Sequence, residues 1–180
     1  MSEFPGTVRP ATADDAAACA AIYAPYVRDT AITFETEVPT AADMAGRIAA
    51  HGASHAWLVA EREGEILGYA YAYGFSPRPA YDWSCETSIY VAPSSRGGSA
   101  GSALYEALLP LLAERGYRRA FARITLPNLA SVAFHERFGF IESGVLRRVG
   151  WKLDAWHDVA YLQRDLGDVD PLVPPNPIRP

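Results

Sequence analysis

The sequence predicts an α/β (α+β) domain with a mixed, mostly antiparallel central sheet flanked by helices on both faces. Three observations predict it. The elements read in the order β-α-α-β-β-β-α-β-α-β-β along the chain. Glu63-Gly64 joins two strand-like runs as a hairpin turn. Residues 86–116 read as a strand, a glycine-rich loop and a helix, the opening of a βαβ-like unit.

Residues 1–6 are expected to be a flexible N-terminus, 7–166 the folded domain, and 167–180 a flexible tail carrying Pro171, Pro174, Pro175, Pro177 and Pro180. Residues 7–11 give a short first strand. Thr12-Ala13-Asp14-Asp15 is a helix-start signature, with Thr12 as the cap and an acid three residues on. The helix it opens carries Cys19, Ile22 and Tyr23 and is expected to stop near Pro25. Ile32 to Glu35 is an extended or loop segment. Thr40-Ala41-Ala42-Asp43 repeats the cap and opens a second helix, expected to end at His51-Gly52. Residues 56–62 and 66–75 are the two strands of the hairpin.

Residues 76–84 form a loop with Arg78, Tyr81, Asp82 and Trp83, an aromatic and cationic composition suited to lining a site. Thr87, Ile89, Tyr90 and Val91 mark the strand at 86–91, and Pro93 ends it. Leu104, Leu108, Leu111 and Leu112 fall on one face of the following helix, and this stripe continues across Pro110, so a kink is expected there and not two helices. Residues 119–125 give a strand, 130–138 a helix, and 140–150 with 156–165 a closing antiparallel pair.

At 180 residues the chain is long enough to bury one substantial core. Apolar residues make up 49% and charged residues 21%, as in ordinary globular chains, and no apolar run is long enough to span a membrane. A net charge of −5 gives no electrostatic support for nucleic-acid binding. The N-terminus lacks a basic-then-apolar signal pattern, and Cys19 and Cys85 are the only cysteines, so a reduced, cytoplasmic protein is expected. No metal is expected: His51 and His55 are separated by Gly52, read as a helix breaker, and there is no HExxH or cysteine cluster.

Chemistry concentrates in Arg96-Gly97-Gly98-Ser99-Ala100-Gly101-Ser102. A small-residue loop entering a helix leaves backbone N–H groups bare at the positive end of the dipole, a site for a phosphate. A flexible surface turn would read the same way. The loop lacks the Gly-Lys-Ser/Thr of a P-loop, and the next strand has no acid to hold a dinucleotide ribose.

The same loop resembles the Gln/Arg-x-x-Gly-x-Gly/Ala signature of the GNAT superfamily of acyl-CoA-dependent N-acetyltransferases, with Ser99 where glycine is usual. Asn128 followed by Phe134-His135-Glu136-Arg137-Phe138-Gly139-Phe140 resembles that superfamily's later Asn…Tyr-x-x-x-Gly-Phe segment. Ala80-Tyr81-Asp82-Trp83, Leu126-Pro127-Asn128 and Trp156-His157-Asp158-Val159 are similar to the phosphinothricin N-acetyltransferase family, whose members act on phosphinothricin, methionine sulfoximine and methionine sulfone.

The resemblance implies a GNAT-like fold, acetyl-CoA as the acetyl donor, and the amine of a small amino-acid analogue as acceptor. It also implies that the pantetheine arm lies along the strand of Ile89, Tyr90 and Val91, with Asn128 and Ser131 beside it. Ser99 either adds a hydrogen bond to the pyrophosphate or weakens coenzyme binding. Glu86 is the candidate general base, since an ammonium must lose a proton before attack. His135 takes the place of a tyrosine that protonates the leaving thiolate. It either donates that proton, assists the base, or hydrogen-bonds the coenzyme or a neighbour. Arg78 is the candidate for a substrate carboxylate, with Phe34 and Tyr81 walling the pocket. Members of the family are often homodimers, and the aromatic C-terminal strands offer a contact. Acetylation of protein or peptide N-termini, and a non-catalytic acyl-CoA-binding module, are the alternatives.

Overall fold

The computed structural model describes residues 3–167, and the proline-rich segment from residue 168 lies outside them. Seven strands form one sheet: β1 (Thr7–Pro10), β2 (Ala56–Arg62), β3 (Glu65–Gly74), β4 (Ser84–Val91), β5 (Arg119–Leu126), β6 (Ile141–Lys152) and β7 (Ala155–Asp165). Their order across the sheet is β1-β2-β3-β4-β5-β7-β6. Every neighbouring pair is antiparallel except β4 with β5. Four helices accompany it: α1 (Ala16–Asp29), α2 (Ala41–Ser54), α3 (Ala100–Arg115) and α4 (Leu129–Arg137). The element order and the mixed, mostly antiparallel sheet are those the sequence predicts.

Strand alternation splits the core in two. Trp57, Val59 and Tyr69 face one way and meet Cys19, Tyr23, Met44 and Ile48 of α1 and α2. Leu58, Ala60, Ala70, Ala72, Ala120 and Ala122 face the other way and meet Leu104, Leu108 and Leu112 of α3. Alanines on that face let the leucine stripe of α3 lie close to the strands. The stripe runs on through Pro110 in a single helix, as expected.

Two helix ends differ from expectation. α1 does not stop near Pro25 but continues to Asp29. An interior proline costs about 3 kcal/mol. Beyond it Tyr26 and Val27 are buried, and full burial of such side chains is worth roughly 1.5–3 kcal/mol each, which outweighs the loss. α2 likewise passes through Gly52 to Ser54, because an interior glycine costs only about 1 kcal/mol. Gly52 therefore does not break the helix between His51 and His55. The His51 ring stacks 5.9 Å from Tyr71, and the His55 ring stacks 5.1 Å from Tyr117.

Pairing between β4 and β5 is the feature that creates a site. It covers only Ser84–Glu86 against Arg119–Phe121. Beyond Glu86 the strands part, while β4 stays bonded to β3 and β5 to β7 along their other edges. The sheet thus opens into a wedge-shaped slot with Glu86 at its apex.

Candidate active site

Backbone parity decides what β4 offers to the slot. Ala92 N–H donates to the Leu67 carbonyl, and Phe75 N–H donates to the Ser84 carbonyl. In an antiparallel ladder every second residue bonds across, so Ser84, Glu86, Ser88, Tyr90 and Ala92 bond to β3. Thr87, Ile89 and Val91 turn their amides and carbonyls towards the slot. Val91 is already engaged: the Tyr26 hydroxyl of α1 donates to its carbonyl at 2.6 Å and accepts from its N–H at 3.4 Å. Among the described residues Ile89 has no such partner. The Tyr90 ring lies on the α1 side, edge-on to Tyr23 and Tyr26.

The slot widens into a cleft of about 550 Å³ that is lined by Ile89, Val91, Arg96, Gly97, Gly98, Gly101, Ser102, Asn128, Ser131, Phe134 and Arg137. Its floor is the start of α3. Ala103 is the first α3 residue whose N–H finds a carbonyl four residues back, on Ser99, so the amides of Ala100, Gly101 and Ser102 have no intrahelical acceptor. Gly97 turns the loop with φ +77°, a conformation that side-chain-bearing residues rarely adopt. Two guanidinium groups flank these amides. Arg96 stacks 4.9 Å over the Tyr26 ring. Arg137 donates to Ser102 Oγ at 2.8 Å and lies over Phe134. Bare amides, a helix dipole and two cations fit a diphosphate.

Ser99 and Ala100 do not line this cleft. They border a neighbouring hollow with Phe4, Pro5, Arg62 and Ser94. Asn128 caps α4, its Oδ1 accepting from Ser131 N–H at 3.2 Å, and its amide nitrogen remains available to the cleft.

At the apex Glu86 is 5% exposed. Its Oε1 accepts from the Tyr73 hydroxyl and, at 2.5 Å, from Arg123 Nε. Arg123 Nη2 also donates to the Tyr73 oxygen at 3.1 Å. Burial and the neighbouring Glu86 carboxylate raise the Tyr73 pKa, so the phenol stays protonated as a donor. Burial opposes the charge on Arg123, but its bonds to Glu86 and Tyr73 prevail and its pKa is raised. Register explains the cluster: Tyr73, Glu86 and Phe121 are direct neighbours across three strands, and Arg123 is two residues along from Phe121.

His135 also reaches the slot, from the α3–α4 side, and is 4% exposed. Its Nδ1 lies 2.8 Å from the Ser131 carbonyl, which fixes the proton on Nδ1, and its Nε2 lies 3.0 Å from the Tyr105 hydroxyl. The Tyr105 hydroxyl therefore gives its one proton to Nε2, and its oxygen also lies 3.1 Å from Thr87 Oγ1, which donates to the Phe121 carbonyl. Burial lowers the His135 pKa, against the Ser131 carbonyl, which raises it.

The structure does not gather Phe34, Arg78 and Tyr81 in one place. Phe34 packs across Gly150 and His157, in the loop whose Ile32 lines both slot and cleft. Tyr81 sits against Phe75, which stacks on Phe121. Arg78 is exposed at the start of a 3₁₀ turn and, among the described residues, has no ion-pair partner. Sequence reasoning missed Tyr26, Tyr73, Tyr105 and Arg123. Arg123 carried a signal, being a charge inside the otherwise apolar run Ala120-Phe121-Ala122-Arg123-Ile124.

Comparison with known proteins places the chain in a family. The model of the acetyltransferase (GNAT) domain matches residues 8–160. A phosphinothricin N-acetyltransferase of Streptomyces viridochromogenes is 39% identical over 176 residues, 98% of this chain and 94% of that protein. An L-methionine sulfoximine/L-methionine sulfone acetyltransferase of Pseudomonas paraeruginosa is 34% identical, over 89% of this chain and 94% of its own length. The crystal structure of a GNAT superfamily phosphinothricin acetyltransferase from Sinorhizobium meliloti in complex with acetyl-CoA aligns with a TM-score of 0.91 at 34% identity, covering 98% of this chain and 96% of that one.

Proposed function

This chain belongs to the GNAT acetyltransferase family, and from that premise we propose that it transfers the acetyl group of acetyl-CoA to the amine of a small amino-acid analogue of the phosphinothricin or methionine sulfoximine type. The observation that supports Glu86 as general base is its place where the β4–β5 pairing ends, in contact with Arg123, which lines the slot. In this reading the loop from Arg96 to Ser102 holds the pyrophosphate, Asn128 and Ser131 border the pantetheine arm, and the Ile89 N–H polarises the acetyl carbonyl. Glu86 takes a proton from the ammonium, and the freed amine attacks the thioester carbon. A C–N bond forms, the C–S bond breaks, and the second proton lost by the attacking nitrogen balances the one taken up by the leaving thiolate, giving the amide and coenzyme A. Phe34 is carried into the acceptor wall because its loop neighbour Ile32 already lines the slot.

The test is thiol release from acetyl-CoA over a panel of amino-acid analogues and peptides. Turnover of phosphinothricin or methionine sulfoximine is expected, and Glu86→Gln is expected to lower kcat by about 10²–10⁴ with acetyl-CoA affinity kept. Turnover of peptides alone would overturn the substrate class.

We also propose a homodimer through the closing hairpin. Leu146, Val149, Trp151 and Trp156 are 46–58% exposed there, and β6 is an edge strand, a combination that invites a partner. A monomeric mass by light scattering would rule it out. Among the described residues no helix is long and apolar enough to cross a membrane. The two buried free thiols fit a cytoplasmic setting.

A further inference from the structure

We propose that Arg123 binds the carboxylate of the acceptor and so selects free α-amino acids over peptide N-termini and simple amines. The proposal rests on the reading that Glu86 receives the acceptor's amine.

A guanidinium has five N–H donors in a planar fork. In Arg123, Nε is spent on Glu86 and one Nη2 donor on Tyr73. Nη1 donates to no described group, and the side chain is 46% exposed beside a Glu86 side chain that is 7% exposed. The open edge of the fork borders the slot, together with Ile32 and Ser88. The site therefore presents a buried carboxylate and, in contact with it, a cation with free donors. An α-amino acid carries its ammonium and carboxylate on one carbon and matches that pair in charge and spacing. With the ammonium at Glu86, the carboxylate falls to Arg123, where paired N–H bonds hold it. An amine with no carboxylate brings its positive charge next to Arg123 uncompensated. Arg78, the arginine to which the sequence points, is exposed on the β3–β4 loop and borders neither slot nor cleft.

The experiment compares kcat/KM for methionine sulfone and its carboxamide in wild type, Arg123→Gln, Arg123→Lys and Arg78→Ala. Wild type is expected to prefer the free acid by about tenfold to a hundredfold, the range for a charge-assisted hydrogen bond. Arg123→Gln should abolish the preference, mainly through KM for the acid, Arg123→Lys should restore part of it, and Arg78→Ala should keep it. Removing Arg123 also alters Glu86, but that affects acid and amide alike, so the ratio isolates recognition. Acetyl-CoA affinity and thermal midpoint report whether each variant folds. A wild-type ratio in Arg123→Gln, or its loss in Arg78→Ala, would overturn the proposal. If wild type acetylates neither compound, the functional reading fails, and calorimetric binding of methionine sulfone in the presence of coenzyme A decides Arg123 separately. Binding lost in Arg123→Gln upholds the assignment, whereas no binding, or equal binding, sinks it.

Discussion

Lys152, near the end of β6, donates to the main-chain oxygen of Thr33 at 2.8 Å and so ties the closing hairpin to the α1–α2 loop. The other side of that loop is tied as well. The Thr33 hydroxyl meets the Tyr23 hydroxyl at 2.6 Å, and Glu35 accepts from Arg47 at 2.8 and 2.9 Å. The loop thus holds Ile32 on the slot from two directions. Lys152 is 7% exposed, and burial lowers its pKa. In Lys152→Met, relief of that desolvation offsets the unpaired Thr33 carbonyl, so stability should change by only about 1 kcal/mol. The loop responds instead: amides at residues 31–35 should exchange faster and KM for the amine should rise. Unchanged exchange and KM would mean that the tether does not position the loop.

The loop that enters α3 and the first turn of that helix contain glycines with different duties. Gly97 has φ +77°, so Gly97→Ala is expected to cost about 1–2 kcal/mol and to raise KM for acetyl-CoA. At Gly101 a methyl group would meet Phe134, Val91 and Ile89 at ordinary contact distances of 3.6–3.7 Å. Gly101→Ala lies in a helix and should be neutral or stabilising by up to about 1 kcal/mol. Thermal midpoints in the order Gly101→Ala, wild type, Gly97→Ala, highest first, are the check. Equal midpoints for the two variants would remove the backbone argument.

The fold was legible because its signals are local. Thr40 and Asp43 form the capping box that their spacing announces, Glu63 and Gly64 both take positive φ in the hairpin turn, and the leucine stripe of α3 fixes its buried face. The family resemblance drawn from separated motifs is borne out by the GNAT domain match. What stayed hidden depends on register. Nothing in the sequence says that Tyr73 stands opposite Glu86, that β4 and β5 part after Phe121, or that Tyr26 reaches Val91 over a separation of 65 residues. The overrun of α1 past Pro25 was hidden for a related reason. It depends on burial of Tyr26 and Val27 against a sheet that local propensity does not see.

Acid should weaken this fold through His55. Burial, with smaller contributions from His51 and Arg115, lowers its pKa from 6.5 to about 4. The unfolded chain therefore binds the proton more readily, and stability present above pH 6.5 is lost as pH falls towards 4. The ring is only partly buried, so after solvent screening the loss is on the order of 1–2 kcal/mol. His51 and His135 are shifted the same way, so the effect is shared. Urea midpoints measured from pH 7 to 4 should fall in wild type and fall less steeply in His55→Gln. Parallel slopes would show that His55 is not the group responsible.

His135 has both ring nitrogens occupied, by the Ser131 carbonyl and the Tyr105 hydroxyl. With its proton held on Nδ1 by Ser131, it has no free N–H to give a leaving thiolate. Of the three roles the sequence leaves open, the hydrogen-bonded neighbour fits this geometry. His135→Gln should therefore lower stability by about 1–3 kcal/mol, the cost of an unpaired buried polar group, while kcat falls less than about tenfold, below the 10²–10⁴ that loss of a general acid typically costs. Tyr105→Phe breaks the same chain from the other end and should behave alike, since the hydroxyl it removes joins His135 to Thr87. A hundredfold loss of kcat in His135→Gln, with thermal midpoint and acetyl-CoA affinity intact, would instead make the histidine a proton donor. The same loss in both variants would make the Tyr105 hydroxyl its route to the slot.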